Sequence, residues 1–349
     1  MNKKRVLVAM SGGVDSSAAA AVLLQKSYEV EGAMMLLSPE MNEGSVEDAQ
    51  KVADRLGIKF HLFDLRDRFA TDVIEPFCDM YLQGKTPNPC VICNKHIKFG
   101  AFLDRALEMG FDLIATGHYA DIRCEDGVYR LCRTQSDKDQ TYVLFNMTQH
   151  ILAHTLFPLA EISDKGVVRK IAADLGLEVS DKPDSQEICF VPDKDHARFI
   201  TERRGDLSVE GDFVDLDGKL LGRHKGLINY TVGQRKGLGI SFGEPRFVTR
   251  LDAENNRVVL GKNEDCFSPA LMAEQMNYIS GTAPSEPLRL TAKVRYSAKD
   301  VPVTLYPDKD RARIVFDRPE RAITAGQAVV LYRDDEVIGG GSIVCACDE

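Results

Sequence analysis

The chain begins with an apolar, strand-like run that ends at two glycines and continues directly into a helix-forming segment. Residues 5–10 (Arg-Val-Leu-Val-Ala-Met) precede Ser-Gly-Gly-Val-Asp-Ser-Ser at residues 11–17, and an alanine- and leucine-rich stretch continues to Leu24. When a buried strand turns through glycines into a helix, backbone N–H groups and the helix dipole together bind phosphate. The sequence therefore predicts an α/β fold with a phosphate-binding loop at its start.

The residues after the two glycines narrow the type of loop. No Gly-Lys-Ser/Thr comes at the Walker A spacing, and the third glycine of the dinucleotide fingerprint is missing. The sequence instead resembles Ser-Gly-Gly-x-Asp-Ser, the PP-loop of the ATP pyrophosphatase superfamily. That resemblance implies loss of pyrophosphate from ATP and transfer of AMP to a substrate oxygen. Asp15 is the candidate ligand for Mg²⁺ on the pyrophosphate.

Alternating strand and helix patterns extend this start into a doubly wound parallel sheet. We expect strands at residues 29–37, 58–65 and 111–116, and helices at residues 45–56, 68–82 and, for the most part, 140–181. The loops at Ser11, Met35 and Gly117 would then share the carboxyl edge of the sheet, where such folds bind ligands.

Composition changes after the first 200 residues, which predicts three domains: a catalytic domain at residues 1–203, a small mixed or β domain at 204–272, and a β-barrel at 273–349. A hairpin is expected at residues 247–260. Short alternating segments predict barrel strands at residues 288–296, 301–306, 312–316, 328–332 and 337–344.

The charge distribution points to a nucleic-acid partner for one part of the chain. Net charge is −9 overall, but residues 218–250 contain seven Lys or Arg and one acidic residue, Glu244. Such a local basic stretch is typical of phosphate-backbone contact. No apolar stretch is long enough to span a membrane, and with no export signal the nine cysteines are expected to be reduced in the cytoplasm.

Two stretches contain cysteines that could take part in chemistry. Cys90 and Cys93 follow Thr-Pro-Asn-Pro and precede a helical segment, so we expect them at a helix N-terminus. There the dipole, with Lys95 and Lys98, would lower the thiol pKa. By itself the Cys-x-x-Cys fits a redox pair, half a zinc site or cluster ligands. Cys189 follows the polar residues 184–187, which predicts a loop that presents its thiol.

Taken together, these motifs resemble the tRNA 2-thiouridylase family (MnmA/TrmU) along nearly the whole chain. The resemblance rests on residues 11–16, 86–94, 115–119, 138–140, 182–190, 230–240 and 319–332. It implies that ATP adenylates the C2 oxygen of the anticodon wobble uridine, after which sulfur replaces that oxygen. Partners implied are tRNAs for Lys, Glu and Gln and a sulfur donor, such as a cysteine desulfurase or a relay protein.

The resemblance also assigns roles to the cysteines. In the family's persulfide scheme, Cys189 carries the transferable sulfur, and Cys93 attacks the persulfide to leave a disulfide. Many members have aspartate where Cys90 stands. With Cys90 present, the three thiols also resemble the set that holds a [4Fe–4S] cluster in cluster-dependent tRNA thiolases. Both interpretations remain open.

Further contacts are implied by alignment of the motifs. The nucleotide contacts would be Ala9, Met10, Ser11, Gly12, Gly13, Val14, Asp15, Ser16, Met35 and Gly117. The target base would be flanked by Asn88, Pro89 and Cys90. Other tRNA contacts would be His118, Lys138, Asp139, Gln140, Arg295, Tyr296 and Gln327. Two rival hypotheses are an amide-forming PP-loop ligase, which needs no nucleophilic cysteine, and a non-catalytic nucleotide- or tRNA-binding module.

Overall fold

The structure is a computed structural model that describes residues 3–38, 43–136, 138–162, 164–174, 176, 188–205, 209–240 and 243–348. The chain opens with strand β1, helix α1, strand β2, helix α2 and strand β3, at Arg5–Ala9, Val14–Gln25, Glu29–Leu36, Glu43–Leu56 and Phe60–Asp64. This order of elements agrees with the alternation predicted from the sequence.

Two long helical runs follow, and each contains a π-helical segment. The first consists of α3 (Arg66–Phe69), a π segment (Ala70–Ile74) and α4 (Glu75–Leu82). The second consists of α5, a π segment and α6, at Pro89–Cys93, Asn94–Ala101 and Phe102–Glu108. The sequence pattern predicted helix at residues 68–82 and after Cys93, but it predicted neither π segment.

Strand β4 (Leu113–Ala115) lies beside β1 in a five-stranded parallel sheet with the order β3-β2-β1-β4-β7. Alternate residues of β1 enter different cores. Val6 and Val8 pack against α1 and α2, whereas Leu7 and Ala9 pack with residues of the two helical runs. Both faces of the sheet are therefore covered, which confirms the doubly wound α/β prediction.

The sequence pattern missed a β-hairpin of β5 (Asp121–Glu125) and β6 (Val128–Cys132). The prediction of mostly helix over residues 140–181 was only partly right: the described part contains a 3₁₀ turn (Thr141–Val143), helix α7 (Gln149–Ala153) and helix α8 (Lys165–Asp174), but also strand β7 (Thr155–Leu156). Pairing with β4 makes β7 a strand, because tertiary contacts override local helix propensity here. Residues 163, 175 and 177–181 of that prediction lie outside the described residues.

After α9 (His196–Arg204), a four-stranded sheet of order β10-β11-β8-β9 forms the middle of the chain. Its strands are β8 (Gly211–Val214), β9 (Leu220–His224), β10 (Phe247–Asp252) and β11 (Arg257–Gly261). The predicted hairpin between β10 and β11 is confirmed. A small core around Phe213, Tyr230 and Val258 holds this sheet together.

The last six strands form an antiparallel barrel that closes through pairing of β12 with β17. They are β12 (Phe267–Tyr278), β13 (Leu288–Lys293), β14 (Val301–Asp308), β15 (Arg311–Arg321), β16 (Ala328–Arg333) and β17 (Glu336–Cys347). Strand β12 was not predicted, and it crosses the expected boundary between residues 272 and 273. The hairpin β5–β6 joins the barrel sheet beside β17, where Cys132 pairs with Glu336. None of the described helices is long and apolar enough to cross a membrane.

Candidate active site

The phosphate loop is held in shape by its own serines. The N–H of Ser11 donates to Ser16 Oγ at 3.2 Å, and that hydroxyl donates to the carbonyl of Gly13 at 3.1 Å. Gly12 adopts φ +70°, and a Cβ there would lie 2.8 Å from the carbonyl oxygen of Ser45. The loop therefore tolerates only glycine at this position, and it places Asp15 in the first turn of α1.

The other nucleotide candidates surround this loop at the carboxyl edge of the sheet. Ala9, Met10 and Val14 are buried in the cores on either side, and Met35 is buried near the end of β2. In the order β3-β2-β1-β4-β7, the chain runs outward from β1 to β3 on one side and then continues at β4 on the other side of β1, so the loop after β1 lies at the switch point of the sheet.

The segment after β4 packs directly on the phosphate loop. A Cβ at Gly117 would lie 2.8 Å from the backbone of Asp15 and Ser16. Tyr119, which is 2% exposed, donates its hydroxyl to Asp15 Oδ1 at 2.8 Å. The sequence pattern predicted no role for Tyr119, although this residue ends the Ala-Thr-Gly-His-Tyr motif at residues 115–119.

Gln140 holds Tyr119 in turn. Its backbone N–H donates to the Tyr119 carbonyl at 2.9 Å, and its Oε1 accepts from the Tyr119 N–H at 3.0 Å. In this arrangement the Gln140 side chain supports the loop that carries Tyr119.

The same segment also reaches the helix that carries the first two thiols. His118 lies between Phe99 and Phe157, with ring centroids 5.8 Å and 6.0 Å away, and its Nδ1 is 2.7 Å from Thr116 Oγ1. Burial, with a smaller contribution from Lys98, holds the pKa of His118 well below its usual range. The imidazole is therefore neutral and enclosed.

Cys90 and Cys93 lie in α5, as expected for thiols at a helix N-terminus. The helix begins at Pro89, and Asn88 caps it: its Oδ1 accepts from the N–H groups of Cys90 at 3.1 Å and Val91 at 3.4 Å. The cap by Asn88 and the helix start at Pro89 thus position Cys90 in the first turn of α5. Asn88 and Pro89 are also the residues expected to flank the target base. Cys90 is exposed and Cys93 is buried.

Cys189 lies in a turn that is held in place by the aromatic packing of the next residue, Phe190. Phe190 is 2% exposed, and its ring meets those of Phe69 and Phe77 at 5.6 Å and 5.2 Å. Anchoring of Phe190 leaves the preceding thiol exposed. Residues 182–187 of the motif lie outside the described residues.

We term Cys90, Cys93 and Cys189 the cysteine cluster, because their thiols influence one another electrostatically. Burial raises the pKa of Cys93 to about 12, with further raising effects from Cys189 and Cys90. The Cys90 and Cys189 side chains reach the surface, but the protein packed around their sulfurs removes much of the water there and raises the pKa of both thiols. The Cys90 thiol raises the pKa of Cys189 further. The expected net lowering of thiol pKa was therefore wrong, because desolvation outweighs the nearby positive charge.

A metal site does not fit this arrangement. Among the described residues, no group of three His, Cys, Asp or Glu side chains could hold a metal ion. The three thiols also lie at different depths, since Cys90 and Cys189 are exposed and Cys93 is buried.

Several tRNA candidates meet beside the cysteine cluster. Tyr296, just after β13, donates its hydroxyl to the carbonyl of Asp139 at 3.5 Å. Burial raises the pKa of Tyr296, and the charges of Asp139, Lys138 and Cys90 also act on it. Arg295 lies 4.0 Å from Glu320. The barrel thus brings an exposed tyrosine to the edge of the site.

The barrel and the central sheet both contact the loop that leads into α5. Gln327 Nε2 donates to the carbonyl of Thr86 at 3.0 Å, and the Thr86 N–H donates to the carbonyl of Ala325 at 2.8 Å. Thr86 Oγ1 also lies 3.5 Å from Thr231 Oγ1. Gln327 therefore acts here by holding the backbone before Asn88.

The basic stretch at residues 218–250 is only partly available to a partner. Arg223 and Arg246 form ion pairs with carboxylates at 2.6 Å and 2.5 Å. Arg235 and Lys236 are exposed, and within the part of the chain that the structure describes they form no ion pair. These two residues are therefore available for phosphate contact in the central part of the chain.

Three family models match the chain one after another. The tRNA methyl transferase HUP domain matches residues 4–193, the tRNA methyl transferase PRC-barrel domain matches residues 197–262, and the aminomethyltransferase beta-barrel domain matches residues 268–343.

Curated relatives match at full length. The tRNA-specific 2-thiouridylase MnmA of Acetivibrio thermocellus is 49% identical over 98% of this chain and 100% of its own. The protein of the same name from Clostridioides difficile is 50% identical over 98% of each chain. Among solved structures, a 4-thiouridine synthetase–RNA complex with bound ATP aligns over 58% of this chain and 51% of its own, with 18% identity and a TM-score of 0.40.

Proposed function

The chain belongs to the tRNA-specific 2-thiouridylase family, and on that premise we propose that it uses ATP to convert the wobble uridine of a tRNA anticodon to 2-thiouridine. The observation that carries the proposal is the segment at residues 116–119. It contacts the phosphate loop through Gly117 and Tyr119, and the thiol-bearing helix through His118. One short loop therefore joins an ATP-activating half-site to a sulfur-transferring half-site.

The phosphate loop would carry out activation. Its N–H groups and the N-terminus of α1 suit the α-phosphate of ATP. The Asp15 carboxylate is the kind of ligand that Mg²⁺ prefers, and the ion would neutralise charge on the departing pyrophosphate. Transfer of AMP to the C2 oxygen converts a poor leaving group into a good one. Tyr119 would keep Asp15 oriented during this step.

The cysteine cluster would deliver sulfur. Cys189, exposed in its turn, is placed to receive sulfur from a donor protein as a persulfide. The thiolate of Cys93 then attacks the inner sulfur of that persulfide. A Cys93–Cys189 disulfide forms, the released hydrosulfide bonds to C2, and AMP leaves with the electron pair of the C2–O bond. A cellular dithiol must reduce the disulfide before the next cycle.

This scheme is preferred to a [4Fe–4S] cluster because the cysteine cluster does not converge as a ligand set among the described residues. Anaerobic purification followed by iron and acid-labile sulfide assay checks the choice. We expect substoichiometric iron and full activity without it. Activity that tracks iron content would overturn the relay.

The substrate would lie across the exposed groups that surround the cysteine cluster. Lys138 and Tyr296 would contact the anticodon arm, and Arg235 and Lys236 the phosphate backbone. We further propose tRNAs for Lys, Glu and Gln as substrates, a cysteine desulfurase or relay protein as sulfur donor, and the reducing cytoplasm as the location. The division into domains at residues 1–203, 204–272 and 273–349 stays a prediction.

The test is mass analysis of tRNA nucleosides after incubation with ATP, Mg²⁺ and a sulfur source. The wild type should form 2-thiouridine, whereas Cys93→Ser and Cys189→Ser should not. Cys124→Ser is the matched control, because Cys124 is an exposed thiol on the β5–β6 hairpin. ATP turnover that survives Cys189→Ser, with no 2-thiouridine formed even by the wild type, would instead favour an amide-forming ligase. Absence of tRNA-dependent pyrophosphate release would favour a binding module.

A further inference from the structure

The last strand of the barrel carries two thiols that the proposed function does not use. Cys345 and Cys347 stand two positions apart in β17, so their side chains lie on the same face of the sheet. Cys345 is exposed, Cys347 is half-buried, and their Sγ atoms are 3.9 Å apart. Two soft donor atoms therefore lie side by side at a place that a small solute can reach.

The separation of the two sulfurs fits a bridging metal ion better than a disulfide. A disulfide needs its sulfurs about 2.05 Å apart and its Cα atoms within about 6.8 Å. Two positions along a strand already span about 6.6–6.8 Å, so a disulfide would form only at that limit. A thiophilic metal ion bonds sulfur at about 2.3 Å, which puts two sulfurs about 3.8 Å apart at a tetrahedral angle and about 4.0 Å apart at a trigonal one. The observed 3.9 Å lies between these two values.

The neighbouring strand offers a third sulfur on the same face. Met272 of β12 lies directly opposite Cys345 in the antiparallel ladder. Opposite residues of such a ladder project to the same side, with Cβ atoms about 4.5–5.5 Å apart. Leu271 and Ala273, on either side of Met272, enter the barrel core, so the half-buried Met272 faces outward. Its thioether therefore belongs to the same outer surface as the two thiols.

A positive charge lies beside these sulfurs. Arg313 of β15 is the ladder partner of Met272 on the other side of β12. Burial and the Cys345 thiol raise the pKa of Cys347, and the charge of Arg313 opposes them. Two thiolates around a monovalent cation leave one net negative charge, which the guanidinium of Arg313 would offset.

We propose that Cys345, Cys347 and Met272 form a binding site for a soft monovalent metal ion, with Cu(I) as the ion that this donor set selects. Thiolate and thioether sulfurs are ligands that suit Cu(I), whereas Mg²⁺ and Ca²⁺ take oxygen ligands. Structural zinc takes four ligands, and among the described residues no group of three His, Cys, Asp or Glu side chains could hold a metal ion. Binding of Cu(I) releases the two thiol protons to solvent and transfers no electron.

The experiment titrates the full chain with Cu(I) in the absence of ATP and tRNA, so its result is independent of the proposed function. Cu(I) is supplied anaerobically as its coloured bicinchoninate complex with a thiol-free reductant, and loss of colour measures the metal that the protein takes up. The cysteine cluster is replaced by serine in every sample, which removes its thiols as competing ligands. The variants made in this background are Cys345→Ser, Cys347→Ser, Met272→Leu and, as the matched control, Cys124→Ser.

We expect the background chain and Cys124→Ser to bind one equivalent of Cu(I), since Cys124 is an exposed thiol on the β5–β6 hairpin. Cys345→Ser and Cys347→Ser should each lose that equivalent, because a single thiol does not chelate the ion. Met272→Leu keeps a side chain of similar size and should bind the same equivalent about tenfold more weakly, the lower end of the cost of losing a supporting group at a metal site.

Retention of the equivalent in either Cys345→Ser or Cys347→Ser would overturn the proposal, and so would unchanged affinity in Met272→Leu. A Cys345–Cys347 disulfide that persists under the reductant, detected by peptide mapping, would show that the pair does not hold metal. Circular dichroism checks that each variant is folded, and the alanine variant replaces any serine variant that is not.

Discussion

Removing one hydroxyl group tests the link between the two half-sites. In Tyr119→Phe the ring keeps its place in the core, but the hydrogen bond from the phenol to Asp15 Oδ1 is lost. The chain should fold, because the ring itself fills the core. The carboxylate, however, loses a donor that fixes its direction.

The size of the effect depends on the nature of that bond. A hydrogen bond to a charged group contributes about 1.5–3 kcal/mol. Asp15 is half-exposed at the N-terminus of α1, so water can replace part of the lost interaction. We expect the lower half of the range, a fall of about 10- to 40-fold in kcat/KM for ATP.

The assay is tRNA-dependent pyrophosphate release with ATP varied. Tyr278→Phe is the matched control, because its hydroxyl is buried without a hydrogen-bond partner among the described residues. That variant should retain full activity. Pyrophosphate release by Tyr119→Phe within twofold of wild type would refute the positioning role of Tyr119.

Three further predictions concern other parts of the site. Gly117→Ala should weaken ATP binding by about 1–3 kcal/mol, or roughly 5- to 150-fold, because the new methyl group would lie 2.8 Å from backbone atoms of the phosphate loop; a binding assay with an ATP analogue checks this, and unchanged affinity would contradict it. Because burial raises the pKa of Cys93 to about 12, the thiolate fraction and the single-turnover rate of sulfur transfer should both rise from pH 7 to 9; a flat profile would contradict the role of Cys93. Arg235→Glu with Lys236→Glu should weaken tRNA binding and reduce its salt dependence, as measured by filter binding at several salt concentrations, whereas unchanged binding would remove this surface from the interface.

Local interactions explain the features that could be predicted from the sequence. Strand β1, the glycine turn and α1 are determined by residues 5–24 alone, because neighbouring residues suffice to set a strand, a turn and a helix start. The Pro-Asn-Pro-Cys segment likewise determines the capped start of α5. The alternation of elements then dictates that the loops at Ser11 and Gly117 share one edge of a parallel sheet.

Long-range contacts decided the rest. Strand β7 exists because β4 offers it a partner, and the β5–β6 hairpin is placed by the barrel strand β17. Neither partner is near in sequence, so local patterns could not indicate them.

The sequence by itself determined which chemical groups are present: a phosphate loop, three thiols and two lysines beside them. Only the tertiary structure decided their properties. Burial, which depends on the whole surrounding core, raised the thiol pKa values that the helix N-terminus alone would have lowered. The packing of the helical run likewise left Lys95 exposed and Lys98 half-buried, although the sequence pattern treats the two lysines alike.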